Sequence, residues 1–531
     1  MRKYSLPLAA ILMVICFAGS CFAQNGQPKD WTLMLYFVPD AKIESGFLND
    51  DVASITRTGA RANMNIVLFF DFAKAGKPSG YFILEKNDFK SLKNLGETNM
   101  GSPQNLYDFM KYSMTNYPAS KYALVINAHG SGWESYYGPG SSSNPLDASQ
   151  IEISPIVQKS EWNLSGAGRN DKAIAYDDDP QDCLTLQEIS RAVGEASRNF
   201  NGGKKLDLFV TYACLFSMLE AAYELKDVIG ILVSSESTVP CGGFDYSSFI
   251  SAMAAPSSSA VDVAKIAVNR FVSANYGDNI LAGIDLSKIE PVAIAFSDLA
   301  QKLAKVSAAV EFKAAVKIGS GDKYCDILSL LTSVASKKVS FTGDSKFSEI
   351  EALSSAAAKT LSASLVAWSA SGKFKSGYGR TDAGGIAIYW PDAERYKKYR
   401  KAYKTLQFGR KFFWDEFLDW NLLKLQPEAA ATRSSAPSFE VERIISELDG
   451  AFAGYRRGPA EGARIVPETE MAKVEFLKKR VVEETMSQHR SHNFGAVRNA
   501  LESIKSAPSI DTATKNKMIL ELKNAINSPV K

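Results

Sequence analysis

The chain has 531 residues, of which 46% are hydrophobic, 11% aromatic and 22% charged; that composition excludes wholesale disorder, a collagen-like repeat and a coiled coil. Lys plus Arg is 61 and Asp plus Glu is 58, a net charge of +3, which offers no basic face for a polyphosphate backbone and argues against a nucleic-acid partner. Three histidines occur, two of them (His489 and His492) in the last tenth of the chain, so most His-based metal sites are excluded from the main body.

The N-terminus reads as an export signal. Arg2 and Lys3 form a positive start, Leu6 to Ala18 is an almost unbroken apolar run, and Cys21-Phe22-Ala23 precedes Gln24 as a small-residue cleavage site would. The run falls short of the roughly 20 apolar residues a membrane span needs, so residues 1–23 are expected to be removed. A competing reading keeps Cys21 as a lipidated first residue. No later segment reaches spanning length without charges, and the expectation is an exported protein (periplasmic, secreted or at the cell surface) with no stable membrane span. Of six cysteines, Cys183, Cys214, Cys241 and Cys325 remain after such cleavage, far from a disulfide scaffold. At least one thiol then calls for a chemical explanation.

From Trp31 the pattern alternates buried strands with amphipathic helices. WTLMLYFV (31–38) and NIVLFF (65–70) are continuous apolar runs, the mark of strands covered on both faces. Phe47, Leu48, Val52 and Ile55 recur between them at helical spacing. YALVIN (122–127) and LDLFVTY (206–212) are further strands, with Ile231–Ser234, Leu281–Leu286 and Ile386–Trp390 as additional candidates. Helices are expected near 104–116, 185–198, 214–228 and 261–274. Such alternation predicts an α/β domain with a mostly parallel sheet and helices on both faces. Residues 131–172 form a long insert rich in Gly, Ser and Pro, and 287–375 read as mainly helical. The domain is expected over 28–425, followed by a linker at 426–468 and a helical C-terminal extension at 469–531.

In an open parallel sheet, ligands gather at the carboxyl ends of the strands. Two strands end in reactive residues: YALVINA runs into His129-Gly130-Ser131-Gly132-Trp133, and LDLFVTYA runs into Cys214. The two motifs are therefore expected at one sheet edge, with Cys214 opening a helix whose N-terminal dipole favours a thiolate. Taken singly, a Cys at a strand–helix junction is more often a packing residue, and a lone His after a strand more often a satisfied side chain. Their joint placement makes a Cys–His hydrolase a balanced alternative.

At these residues the chain resembles the clostripain-like cysteine peptidases, a family with a caspase/gingipain-type fold. The matching stretches are WTLMLYFVPDAKIE with LNDDVASI, INAHGSGW, VTYACLFSMLEAAYELKD, LVSSESTVPCGGFDY, and GGIAIYWP with WDEFLDW. They run in order over about residues 30–420. The resemblance implies His129 and Cys214 as a catalytic dyad acting through an acyl-enzyme on a protein or peptide substrate. It also implies an oxyanion held by the backbone N–H groups of Gly130 and Cys214. The glycine lets backbone approach without a Cβ. No cofactor is required by this chemistry.

The pattern departs from the family at the specificity pocket. Relatives that cleave after Arg or Lys carry Asp two residues before the cysteine, whereas Tyr212 stands here; the loop 238–244 offers Cys241-Gly242-Gly243 where a second acidic or polar group is expected. Tyr212 and Gly242 are therefore candidate pocket residues, Tyr212 either lining the pocket or blocking it. Asp177, Asp178 and Asp179, with Asp182, supply carboxylates that could reach the pocket or bind calcium; the plainer reading is a solvated loop before a helix capped by Asp182 or Thr185. Asp245 and Asp326 read as structural. Lys159, Arg169 and Lys172 in or beside the insert suggest maturation by internal cleavage. The alternative function is a catalytically weak or inactive homologue serving as a secreted or surface binding module.

Overall fold

The apolar run 31–37 lies in β1 (Lys29–Phe37), an interior strand of a nine-stranded sheet in the computed structural model. Its residues alternate between two cores: Met34 and Tyr36 pack in one, while Leu33, Leu35 and Phe37 pack in the other. That two-sided burial is why the strand lacks a polar face. Residues 28–38, 45–71, 79–134, 174–178, 181–240, 243–274, 279–306, 317–318, 323–335, 347–371 and 383–425 are described by the structure. The expected signal segment, the linker, the C-terminal extension, Asp179 and Gly242 lie outside these residues.

After β1 the chain forms α1 (Ser45–Thr58), β2 (Met64–Phe70), and the hairpin of β3 (Gly80–Glu85) and β4 (Asp88–Asn94). It returns through α2 (Pro103–Asn116) to β5 (Ala119–Asn127), then forms a second hairpin, β6 (Ile174–Asp178) and β7 (Gln181–Leu184). Next come α3 (Leu186–Phe200), β8 (Leu206–Tyr212), α4 (Leu219–Leu225) and β9 (Ile229–Ser234). They are followed by α5 (Tyr246–Ala254), α6 (Ala260–Ala274), β10 (Ile280–Asp285) and α7 (Ile289–Val306). The remainder comprises β11 (Lys317–Ile318), β12 (Tyr324–Asp326), α8 (Ile327–Ala335), α9 (Phe347–Ser364), β13 (Leu365–Ala370), β14 (Ala387–Tyr389), α10 (Ala393–Tyr403), α11 (Gln407–Lys411) and α12 (Trp414–Leu423).

The main sheet runs β13-β10-β9-β8-β5-β1-β2-β3-β4. The five central strands, β9 to β2, are parallel, and antiparallel strands flank them on both sides. The expected α/β architecture with a mostly parallel sheet is thus the observed one. Helices α2, α3 and α4 sit on one face, and α1, α5 and α6 on the other. Each fully buried side chain of these cores, Leu124 or Phe209 for example, contributes about 1.5–3 kcal/mol. No helix among the described residues is long and apolar enough to cross a membrane.

A small antiparallel sheet, β11-β12-β14, packs beside the site. The expected strand at Ile386–Trp390 is β14, in this second sheet rather than the first. The outer strand β4 is mostly exposed and carries Asp88, Lys90 and Lys93. Of the plain reading of the acidic segment before α3, the helix cap is observed and the solvated loop is not: Thr185 caps α3, accepting from Glu188 N while Glu188 Oε2 accepts from Thr185 N, but the segment is the β6–β7 hairpin and Asp177 is buried. Asp245 likewise caps α5, accepting from Ser248 N at 2.9 Å.

Candidate active site

The site is built from the ends of two neighbouring parallel strands. In the β5–β8 register Asn127 stands opposite Tyr212, and Ala128 N donates to Tyr212 O at 3.3 Å. Two residues further along each chain lie His129 and Cys214, so the register delivers both at the same edge. Gly130 shows how close the two turns come. A Cβ built on it would lie 2.4 Å from Cys214 O and 3.1 Å from Cys214 N. Only a glycine permits that approach. His129 is exposed and Cys214 half-buried.

Each turn is fastened from behind. On the histidine side, His129 O accepts from Ala175 N at 3.2 Å and Gly130 bridges Ile174. Ser131 O accepts from Lys323 Nζ and from Tyr324 Oη, both at 3.0 Å. Trp133 is enclosed by Tyr389, Tyr399 and Tyr403, with ring centroids 4.7, 6.1 and 5.2 Å away. Glu134, fully buried, accepts from Arg395 Nε at 2.8 Å and has Lys323 Nζ at 3.4 Å. Burial lowers the Lys323 ammonium pKa, and the Glu134 carboxylate opposes that shift.

On the cysteine side the expected helix is not under the sulfur. The chain turns through residues 213–217, and α4 begins only at Leu219 and lasts seven residues. Leu215 adopts φ 59°, a left-handed conformation that costs a β-carbon-bearing residue about 1–3 kcal/mol. Its buried side chain and the bond from its N–H to Ser237 O at 3.0 Å hold it there. Phe216 N and Ser217 N both donate to Ser235 O at 2.9 Å. Ser217 Oγ donates to Gly385 O at 2.5 Å, and Ala387 N donates to Ser217 O at 2.9 Å, which ties the turn to β14. Val239 N donates to Cys214 Sγ at 3.4 Å.

The candidate pocket residues fall differently from the sequence expectation. Tyr212 is buried beneath the loop that follows β9: its hydroxyl donates to Pro240 O at 2.5 Å, and its ring packs edge-on against Phe244 and Phe271. Its hydroxyl and its ring are thus both engaged by that loop and its neighbours. Asp177 is also buried, and it accepts from the backbone N–H of Met100; that bond anchors β6 to the 99–102 loop and turns the carboxylate away from a substrate-facing role. Asp182 accepts from Asn99 Nδ2 at 2.9 Å in the same junction. Asp178 lies in β6. Among the described residues no three His, Cys, Asp or Glu side chains converge as a metal cage would require.

Two acidic features were not singled out from sequence. Asp51 of α1 is 5% exposed and accepts from Asn127 Nδ2 at 2.8 Å; the same Nδ2 donates to Tyr246 Oη at 3.2 Å. Burial pushes the Asp51 carboxyl up to about 7, and the Asn127 bond opposes that. Glu236, in the turn that receives the cysteine segment, is buried against Asp326 of β12. Burial raises both carboxyls; the Asp326 charge adds to the rise of Glu236, whereas the bond with Glu236 opposes the rise of Asp326. Asp326 also accepts from Ser329 N at 2.6 Å and Gly384 N at 2.7 Å, a structural role as expected. A two-residue spacing from Asn127 to His129 and the ESTVP run after β9 are the signals that could have pointed to these groups.

The profile of the Clostripain family matches residues 36–147 and 159–420. A clostripain from Hathewaya histolytica is 26% identical over 247 residues, covering 40% of this chain and 40% of that protein; the matched part thus spans well under half of the curated relative. A secreted C11 cysteine protease from Bacteroides thetaiotaomicron superposes with a TM-score of 0.50 at 16% identity, over 72% of this chain and 99% of that one. An inactive zymogen C11 protease from Parabacteroides distasonis gives 0.50 at 15% identity, over 74% and 99%. These likenesses are ones of fold.

Proposed function

Because the chain belongs to the clostripain family, we propose that it is a cysteine endopeptidase working through a Cys214–His129 dyad. The observation that carries this reading is the β5–β8 register, which sets both residues two positions beyond paired strand ends with the Gly130 backbone against that of Cys214. Cys214 sulfur attacks a peptide carbonyl, and a tetrahedral oxyanion forms within reach of the Gly130 and Cys214 amides. His129 protonates the departing amine. It then takes a proton from water, and hydrolysis of the acyl-enzyme restores the Cys214 thiolate beside the His129 imidazolium. This sequence of steps uses no cofactor. The signal-like residues 1–23 support export, and the basic residues around 159–172 support maturation by cleavage in the insert. The Bacteroides thetaiotaomicron relative is a secreted protease, which agrees with export.

Two observations favour the second reading, a weak or inactive homologue that binds rather than cuts. Tyr212, bound to Pro240 O, stands where basic-specific relatives carry an acid, and Asp177 is turned to the backbone of Met100. The deciding experiment compares the full chain with Cys214→Ala on a peptide library. Hydrolysis by the first and none by the second supports the peptidase. No cleavage of any peptide, together with a Cys214 that alkylates at the rate of an ordinary thiol with or without His129, supports the binding module instead. Incubating the same two proteins and looking for a two-chain product tests self-maturation; identical nicking of both would assign the cut to another protease.

A further inference from the structure

The cysteine turn takes its main-chain order from the segment that follows β9. With α4 starting five residues beyond Cys214, no helix N-terminus stands under the sulfur, and the amides that follow it are engaged elsewhere. Leu215 N–H goes to Ser237 O, and the N–H groups of Phe216 and Ser217 go to Ser235 O. The 235–239 segment receives three donors and returns one: Val239 N–H points at Cys214 Sγ, 3.4 Å away.

Resting on the peptidase reading above, we infer that the main-chain N–H of Val239 is a catalytic donor that holds the Cys214 thiolate. The direction of that N–H is set in advance. Pro240 follows, and a residue before proline is confined to extended backbone. Ser235 Oγ accepts from Ser237 N and donates to Ser237 O, both at 3.1 Å, which stiffens the turn upstream. Pro240 O is held downstream by the Tyr212 hydroxyl. Behind the turn Glu236 is buried against Asp326, whose carboxyl is itself tied to Ser329 N and Gly384 N. A preorganised amide aimed at a negative atom needs no reorganisation when the charge appears.

The donor acts at two points of the cycle. In acylation the sulfur electron pair forms the C–S bond, the C–N bond breaks, and the amine leaves with the proton from His129. In deacylation water gives its proton to His129, the C–O bond forms, the C–S bond breaks, and its electron pair returns to sulfur as the thiolate that Val239 N–H receives.

The test reads the sulfur directly. Iodoacetamide alkylation of Cys214 is followed against pH in the full chain and in Val239→Pro and Val239→Ala, since proline removes the N–H and alanine keeps it. Val239→Pro is expected to move the midpoint of the rate profile up by about one unit relative to Val239→Ala, a drop of roughly tenfold in alkylation below the midpoint, as loss of one charge-assisted bond predicts. Equal midpoints in the two variants would overturn the assignment. Should the proline variant not fold, amide exchange of the peptide spanning residue 239 is compared between the unsubstituted chain and Cys214→Ala. Faster exchange after loss of the sulfur supports the donor, and unchanged exchange removes it. Peptide turnover measured in parallel separates the two claims. Turnover with equal midpoints sinks the donor alone, whereas a shifted midpoint without any turnover sinks the peptidase.

Discussion

Gly130 and Cys214 meet backbone to backbone. A methyl group on Gly130 would sit 2.4 Å from the carbonyl oxygen of Cys214, closer than any side-chain carbon is found, and the atom it would strike is main chain that cannot swing aside. Gly130→Ala must therefore push the histidine turn away from the cysteine turn. Displacements of about 1 Å cost on the order of a hundredfold in rate. The expected outcome is a fall of at least that size in kcat/KM, with far-UV circular dichroism unchanged. Gly202→Ala is the contrast: φ is +61° there, and nothing lies within 4 Å of the added carbon. It should lower the melting temperature slightly and leave turnover alone.

Tyr212 tests what occupies the place of the missing acid. Tyr212→Phe removes one buried hydroxyl bond to Pro240 O and should destabilise by about 1 kcal/mol. Tyr212→Ala opens a cavity between Phe244 and Phe271 and should destabilise by about 3–5 kcal/mol. Tyr212→Asp places a carboxylate among aromatic rings; it should lower the denaturation midpoint by at least as much as the alanine change and should not install cleavage after Arg or Lys. Urea melts and a basic-peptide assay check the series, and efficient Arg cleavage by Tyr212→Asp would refute this account of Tyr212.

Asp51 makes stability depend on pH with a definite sign. Its folded value, about 7, lies above the ordinary 3.8, so the native state holds this proton more tightly than the unfolded chain does. That contribution is full below pH 4, is lost as pH rises to about 7, and stays lost above it. Asp51→Asn keeps an oxygen for Asn127 Nδ2 and removes the titration. At pH 8 the variant should be more stable than the unsubstituted protein by a few kcal/mol, as an upper estimate from the size of the shift. At pH 4 the difference should vanish. Glu236 and Asp326 tilt the profile in the same direction, so the readout is the difference between the two proteins in denaturant melts at each pH.

Glu134 is the ionic anchor of the histidine turn. It is fully buried between Arg395 and Lys323, and Lys323 also holds Ser131 O. Replacing it with Gln leaves Lys323 buried without its counter-charge, a change that typically costs about 3–5 kcal/mol. Turnover should fall along with stability, because Ser131 lies two residues from His129. Loss of stability with unchanged kcat would show that the anchor does not reach the imidazole.

Much of this was legible in the amino-acid order because the central strands are buried on both faces. YALVINA and LDLFVTYA admit few other readings, and their ends place His129 and Cys214. What escaped was set by tertiary contact. The 214–228 stretch has helical spacing, yet three amides of its first turn are drawn to Ser235 and Ser237, which delays α4 to Leu219. Asp177 sits in an acidic run that looks solvated, but β6 carries it into the core beside Met100. The exposed strand β4 has no apolar alternation strong enough to announce it. Val239 could not be found by residue type at all, since the group that matters there is an amide every residue but proline possesses.

Strand β4 has a consequence for the protein in concentrated solution. As the outermost strand on its side among the described residues, it leaves a row of main-chain groups with no further described strand beside it, a natural seam for another molecule to join. Lys90, Lys93 and Asp88 stand along it in water, and a joining strand would have to strip their hydration. Charged side chains on an outer strand are the device by which a sheet edge opposes the addition of a further strand.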